Sequence, residues 1–193
     1  MTADNLISPK ATARFVVTLP PGQSRVADAL AATAGAAFTT LTDSQDAFLH
    51  LARRASARLV IMIPFIDRAG ATWAAELFEA TSATRRVLIL RDRGQLLGLG
   101  RTAARLEASL SEVLDYNFVP DDGRPGSGET FHAKIVLADG VSAYVGSANL
   151  LRRSRDTNLE CGMLLEGPAV QSINVLINAV LATFADPTPS APR

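Results

Sequence analysis

The chain has 193 residues, 48% of them hydrophobic, with 19 basic side chains balancing 19 acidic ones. That length suits one domain, or one domain with short extensions, around a sizeable core. A net charge of zero excludes a basic nucleic-acid footprint spread over the whole molecule, though not a local patch. The single cysteine, Cys161, excludes an internal disulfide; in an apolar strand it reads as a buried small hydrophobe.

Residues 1–13 are polar and expected to fray, leaving a domain over 14–186 and a Pro-rich, disordered tail over 187–193. No basic-then-apolar leader opens the chain, and no uninterrupted apolar run reaches membrane-spanning length. A cytoplasmic protein with no membrane partner is the expectation. Phe15–Leu19 reads as a short strand, closed by Pro20-Pro21-Gly22. Ser24 is a candidate N-cap for an Ala-rich helix to about Ala37. Thr42-Asp43-Ser44 starts a second helix over Gln45–Ala57, with Phe48, Leu51 and Ala55 on one stripe. His50 lies off that stripe and reads as a surface residue.

Leu59–Ile63 is a continuous apolar run, the pattern of a buried strand. It ends in Pro64-Phe65-Ile66-Asp67, at the carboxyl end of a strand, where ligands of open α/β sheets bind. Phe65 or Asp67 could line a pocket there, or only pack and cap. Ala69–Ala80 reads as a helix with Trp73 facing the core. Arg86–Leu90 is a second buried strand, followed at the corresponding sheet end by Arg91-Asp92-Arg93-Gly94. Gly98-Leu99-Gly100 leads into a helix over Thr102–Leu114. A Gly-rich turn before a helix can hold phosphate, but the rest of a nucleotide fingerprint is missing. Tyr116–Val119 reads as a short strand, and Asp121–Thr130 as a loop that could bring Arg124 to an anionic substrate.

The chemistry concentrates in Phe131–Asn149, FHAKIVLADGVSAYVGSAN. Two runs rich in Val, Ile and Tyr flank Asp139-Gly140, a favoured two-residue hairpin turn. With those two residues as the turn, Lys134 faces Val145 and His132 faces Ser147. His132, Lys134, Ser147 and Asn149 then share one face. An imidazole, an ammonium, a hydroxyl and a carboxamide on one patch suit a phosphoryl group. Spacing alone is equally compatible with ordinary polar residues on a solvent face. The chain has 17 arginines and only 2 lysines, which argues that Lys134 is wanted for its own chemistry. Further on, Arg152, Arg153 and Arg155 form the densest basic cluster, able to steer a polyanion or simply stay solvated. Asn158–Leu165 is a strand, and Gly167-Pro168 opens a last helix to about Phe184.

His132, Lys134, Asp139, Gly146, Ser147 and Asn149 stand at the spacing H-x-K-x4-D-x6-G-S-x-N. This resembles the signature motif of the phospholipase D superfamily, and Glu160 in Asn158-Leu159-Glu160 fits its further acidic residue. The resemblance implies an α/β fold, a mixed β-sheet flanked by helices. The alternating strands and helices agree with that. It also implies a site built from two copies of the motif. This chain carries one, so a homodimer with the site at a two-fold interface is expected.

Residue by residue, the resemblance implies that one His132 attacks phosphorus while the other protonates the leaving oxygen and then activates water. Lys134 and Asn149 would hold the non-bridging oxygens, Ser147 would bond the phosphoryl group or a neighbour, and Glu160 would orient a histidine. Asp139 and Gly146 read as structural members of the motif. No cofactor or metal is implied, since histidine and lysine take over a metal's tasks. The small size and single motif resemble bacterial nuclease members, with DNA favoured over RNA. Within His132–Pro168 the likeness extends to the phospholipase D-like subunit of the DISARM anti-phage defence system, which implies further defence proteins as partners. Two alternatives stay open: an accessory module that keeps the motif but binds DNA or a partner, and a lipid phosphodiester hydrolase.

Overall fold

The computed structural model describes residues 11–19, 24–34, 42–118 and 128–185. Its frame is one mixed sheet in the order β1-β7-β6-β5-β2-β3-β4. Strands β2 (Arg58–Met62), β3 (Arg85–Leu90) and β4 (Glu112–Asp115) run parallel. From the other side of β2 the sheet continues antiparallel through β5 (Ile135–Ala138), β6 (Ser142–Gly146), β7 (Glu160–Glu166) and β1 (Thr12–Thr18). Among the described residues the α-helices are α1 (Arg25–Ala34), α2 (Ser44–Arg54), α3 (Arg68–Ala80), α4 (Arg101–Ser109), α5 (Arg152–Asp156) and α6 (Gln171–Ala185).

The sheet is buried on both faces, which is why its central strands are apolar throughout. Leu59 and Ile61 of β2 point into a core with Phe48 of α2 and Trp73 of α3. Val60 and Met62 point the other way, onto Ile177 and Leu181 of α6. Trp73 is core, as its position on the helix stripe predicts: its ring stacks on Phe48 at 5.0 Å. Tyr144 meets Phe48 edge-on at 4.8 Å. Each such buried aromatic contributes about 1.5–3 kcal/mol over its exposed state.

Several expectations change. β1 begins at Thr12, inside the segment expected to fray, because Thr12–Thr18 pairs with β7 along its whole length. The second helix ends at Arg54 rather than Ala57. The Asp139 carboxylate takes the N–H groups of Ser56, Ala57 and Arg58 at 2.8–2.9 Å, so those groups cannot serve a helix. The helix expected over Thr102–Leu114 stops at Ser109, and Glu112–Asp115 is the edge strand β4. Ser111 donates to the Arg86 carbonyl, and pairing with β3 overrides the helical periodicity from there on. The 19-residue stretch Gly167–Ala185 is by length and composition apolar enough to cross a bilayer, although no part of it is an uninterrupted apolar run of that length. Polar Asn174 and Asn178 interrupt its apolar run in sequence; both bond Arg58. The tail over 187–193 lies outside the described residues.

The hairpin register is also off by one. Asp139 and Gly140 both have positive φ, 52° and 74°, as the turn requires. Val141 then joins the loop instead of pairing, so Ala138 faces Ser142 and Ile135 faces Val145. Lys134 consequently lies opposite Gly146, whose N–H donates to its carbonyl at 3.2 Å.

Candidate active site

β2 and β3 end where β5 and β7 begin and β6 ends, so one edge of the sheet collects His132, Lys134, Gly146, Ser147, Asn149 and Glu160, while Asp139 lies at the other. Lys134 immediately precedes β5 and is 5% exposed, whereas His132 is exposed. The ammonium of Lys134 lies 2.8 Å from His132 Nδ1, 3.2 Å from Nε2 and 2.7 Å from the His132 carbonyl. An ammonium has only donors, so a hydrogen bond from it to the ring ends on whichever nitrogen carries a lone pair. Burial pushes the Lys134 pKa below its ordinary value, and the charge of Glu160 opposes that without cancelling it.

Glu160 opens β7 on the same face as Lys134 and is also 5% exposed. Ser147 donates to its Oε2 at 2.5 Å, and the Asn158 amide donates to its Oε1 at 3.1 Å. With the corrected register, the pleat alone would put Ser147 on the opposite face from Lys134. Ser147 stands one residue past β6, outside the pleat, and its hydroxyl turns to Glu160 while accepting from Cys161 N–H at 3.0 Å. Asn149 N–H donates to the buried Ser154 hydroxyl at 3.2 Å. Its Oδ1 is buried with no hydrogen-bond partner among the described residues.

The two structural members of the motif have different tasks. Asp139 fastens the β5–β6 turn to the start of β2 through three backbone donors and the Ser56 hydroxyl. Burial raises its pKa, but those hydrogen bonds outweigh burial and hold it below the usual carboxylate value. Gly146 leaves room for Tyr144: a Cβ there would collide with the Tyr144 hydroxyl and the Cys161 carbonyl.

Of the two residues after β2, Asp67 caps. Its Oδ1 accepts from Gly70 N–H at 2.8 Å and its Oδ2 from Arg152 N–H at 2.9 Å, tying α3 to the segment behind Asn149. Phe65 is the one at the site: its ring meets His132 edge-on, centroids 5.8 Å apart. Arg91, which sequence reasoning placed only at the sheet end, has its guanidinium 5.9 Å from the Phe65 centroid. The signal was its position after a parallel strand.

The basic cluster is partly spent. Arg152 and Arg155 both pair with Asp156, at 3.4 and 3.1 Å, and Arg153 is exposed. Arg124 lies outside the described residues. The Gly98-Leu99 carbonyls accept from Arg68, so that turn is pinned to α3. His50 pairs with Glu166 at 3.3 Å, at the far end of β7 from Glu160. Cys161 is exposed, not buried as expected, because side chains alternate along β7 and it points away from the core that takes Gly162 and Leu164.

Comparison with known proteins gives the family and agrees with the fold. The family described as cardiolipin synthase, PLD-like domain matches residues 48–180. No curated protein sequence matches the chain. Among solved structures, the phospholipase D family member Nuc from Salmonella typhimurium is similar with a TM-score of 0.51 at 13% identity, over 88% of this chain and 91% of Nuc. NucT from Helicobacter pylori gives 0.54 at 11% identity, over 89% of this chain and 93% of NucT. Phosphatidylserine synthase from Haemophilus influenzae Rd KW20 gives 0.50 at 17% identity, over 89% of this chain but 38% of the synthase. At these identities the likeness is one of fold.

Proposed function

The chain belongs to the PLD-like domain family, and from that premise we propose that it is a metal-independent phosphodiesterase of nucleic acid acting through a covalent phosphohistidine. The observation that carries this reading is the exposed His132 imidazole held against the buried Lys134 ammonium at 2.8 Å. An incoming phosphoryl oxygen draws the ammonium to itself, which frees the ring lone pair. The imidazole attacks phosphorus, the P–N bond forms, and the P–O bond to the leaving group breaks. His132 of a second copy gives the leaving oxygen its proton. It then takes a proton from water, which displaces the imidazole and leaves a phosphate monoester. Lys134 and Asn149 bind the non-bridging oxygens as charge builds on them. The homodimer follows from the single motif, since each half supplies one histidine.

Nucleic acid is favoured over lipid by extent: the chain spans nearly all of Nuc and NucT but little more than a third of the phosphatidylserine synthase. DNA and a place in anti-phage defence are the finer reading. They rest on the likeness of His132–Pro168 to the DISARM subunit. The test is hydrolysis of labelled DNA and of bis(p-nitrophenyl) phosphate with EDTA in excess. Wild type should stay active and H132A should be inert; loss of activity in EDTA, or cleavage by H132A, overturns the scheme. Sedimentation should give a dimer, and a strict monomer overturns the shared site. The pairing of Arg152 and Arg155 with Asp156 favours a second reading, an accessory module whose own DNA contacts are weak. No cleavage by dimeric wild type, with DNA retention that depends on salt, supports that reading.

A further inference from the structure

Strands β3, β2 and β5 are neighbours, and at one edge of the sheet they deliver Arg91, Phe65 and His132 in a row. The contacts follow that order. The Phe65 ring touches the His132 ring at 5.8 Å with planes at 69°, and the Arg91 guanidinium lies over the Phe65 ring at 5.9 Å. Phe65 and Arg91 are both partly buried. Arg91 makes no hydrogen bond or ion pair among the described residues, although Arg93 nearby pairs with Glu107. A guanidinium laid on an aromatic face is held by the ring's quadrupole and keeps its in-plane N–H groups unspent. Those groups form the fork that takes two oxygens of a phosphate.

We infer that Arg91, shelved on Phe65, binds the phosphate next to the scissile one, so that the site selects a nucleic-acid strand over an isolated diester. This rests on the phosphodiesterase reading of His132. The Phe65 ring contacts both groups, the imidazole at 5.8 Å and the guanidinium at 5.9 Å, and the phosphoryl group that Lys134 and His132 receive is assigned to them and not to Arg91. What it meets is the next anion along a chain, and a small diester has none.

The experiment compares a short single-stranded DNA oligonucleotide with bis(p-nitrophenyl) phosphate, in wild type, R91A, R91K and R105A. Arg105 is an exposed control, paired with Glu79. The ratio of kcat/KM for the oligonucleotide to that for the small diester should fall about tenfold in R91A, the scale of one charge-assisted contact. The loss should lie in KM. R91K should recover only part, because an ammonium lacks the fork. R105A should not change the ratio. Binding of the same oligonucleotide to H132A and to H132A/R91A gives a second reading that needs no turnover. The slope of log K against log salt should flatten by about 0.7, one phosphate contact on a single strand. An unchanged ratio, an unchanged slope, or wild type that prefers short-chain phosphatidylcholine to the oligonucleotide overturns the inference. Wild type that cleaves no diester at all overturns the phosphodiesterase reading, and the salt slope still judges Arg91.

Discussion

The Lys134 ammonium bonds both the ring and the backbone carbonyl of His132, two residues upstream, from a position where it is itself almost fully buried. Replacing it with methionine keeps the length and removes the charge. K134M should fold and lose about 10²–10³ in kcat, the scale of one lost transition-state donor. Steady-state kinetics with a thermal melt separates the loss of rate from a loss of fold.

Lys134 and Glu160 are coupled through charge, which sets a pH dependence. Burial lowers the Lys134 pKa, so its ammonium is lost, and the rate falls, below the ordinary lysine value of about 10.4. Glu160 raises that pKa against burial. E160Q removes the raising charge, and the alkaline limb of kcat/KM should move to lower pH. A limb that stays in place, or moves up, contradicts the coupling.

Asp139 is the clasp between the hairpin turn and β2. Its pKa is depressed in the fold, so the stability it contributes is full above the unfolded value of about 3.9 and is lost as pH falls through the folded one. D139N should cost about 1–3 kcal/mol at neutral pH, because one amide oxygen cannot replace two carboxylate oxygens serving four donors. Urea melts at neutral and acid pH check it: the gap between wild type and D139N should narrow in acid.

Gly70 lies so close to the Leu150 carbonyl that any Cβ would overlap it. G70A must push α3 away from the segment behind Asn149. It should lower stability by about 1–3 kcal/mol and impair catalysis with the motif residues intact. A melting temperature equal to wild type would contradict the close approach.

Cys161 points outward beside Ser147. A thiol reagent should modify one cysteine per chain in the native protein at the rate of an exposed thiol. Reaction only after denaturant would return it to the core.

The sequence by itself determined the central strands and the identity of the motif residues. Apolar runs such as Val60-Ile61-Met62 and Val87-Leu88-Ile89-Leu90 admit little but buried strands, and the spacing from His132 to Asn149 names its residues through local covalent distance. Cap residues were legible for the same reason: Ser24, Asp43 and Asp67 act within three residues of themselves. Only the tertiary structure decided how those pieces meet. The end of α2 is set by a carboxylate more than eighty residues away, the fate of Glu112–Asp115 by an open edge on β3, and the hairpin register by how Val141 sits between Ala138 and Gly167. The same holds for the row of Arg91, Phe65 and His132. Strand order brings them side by side, and strand order is a property of long-range packing that no local periodicity records.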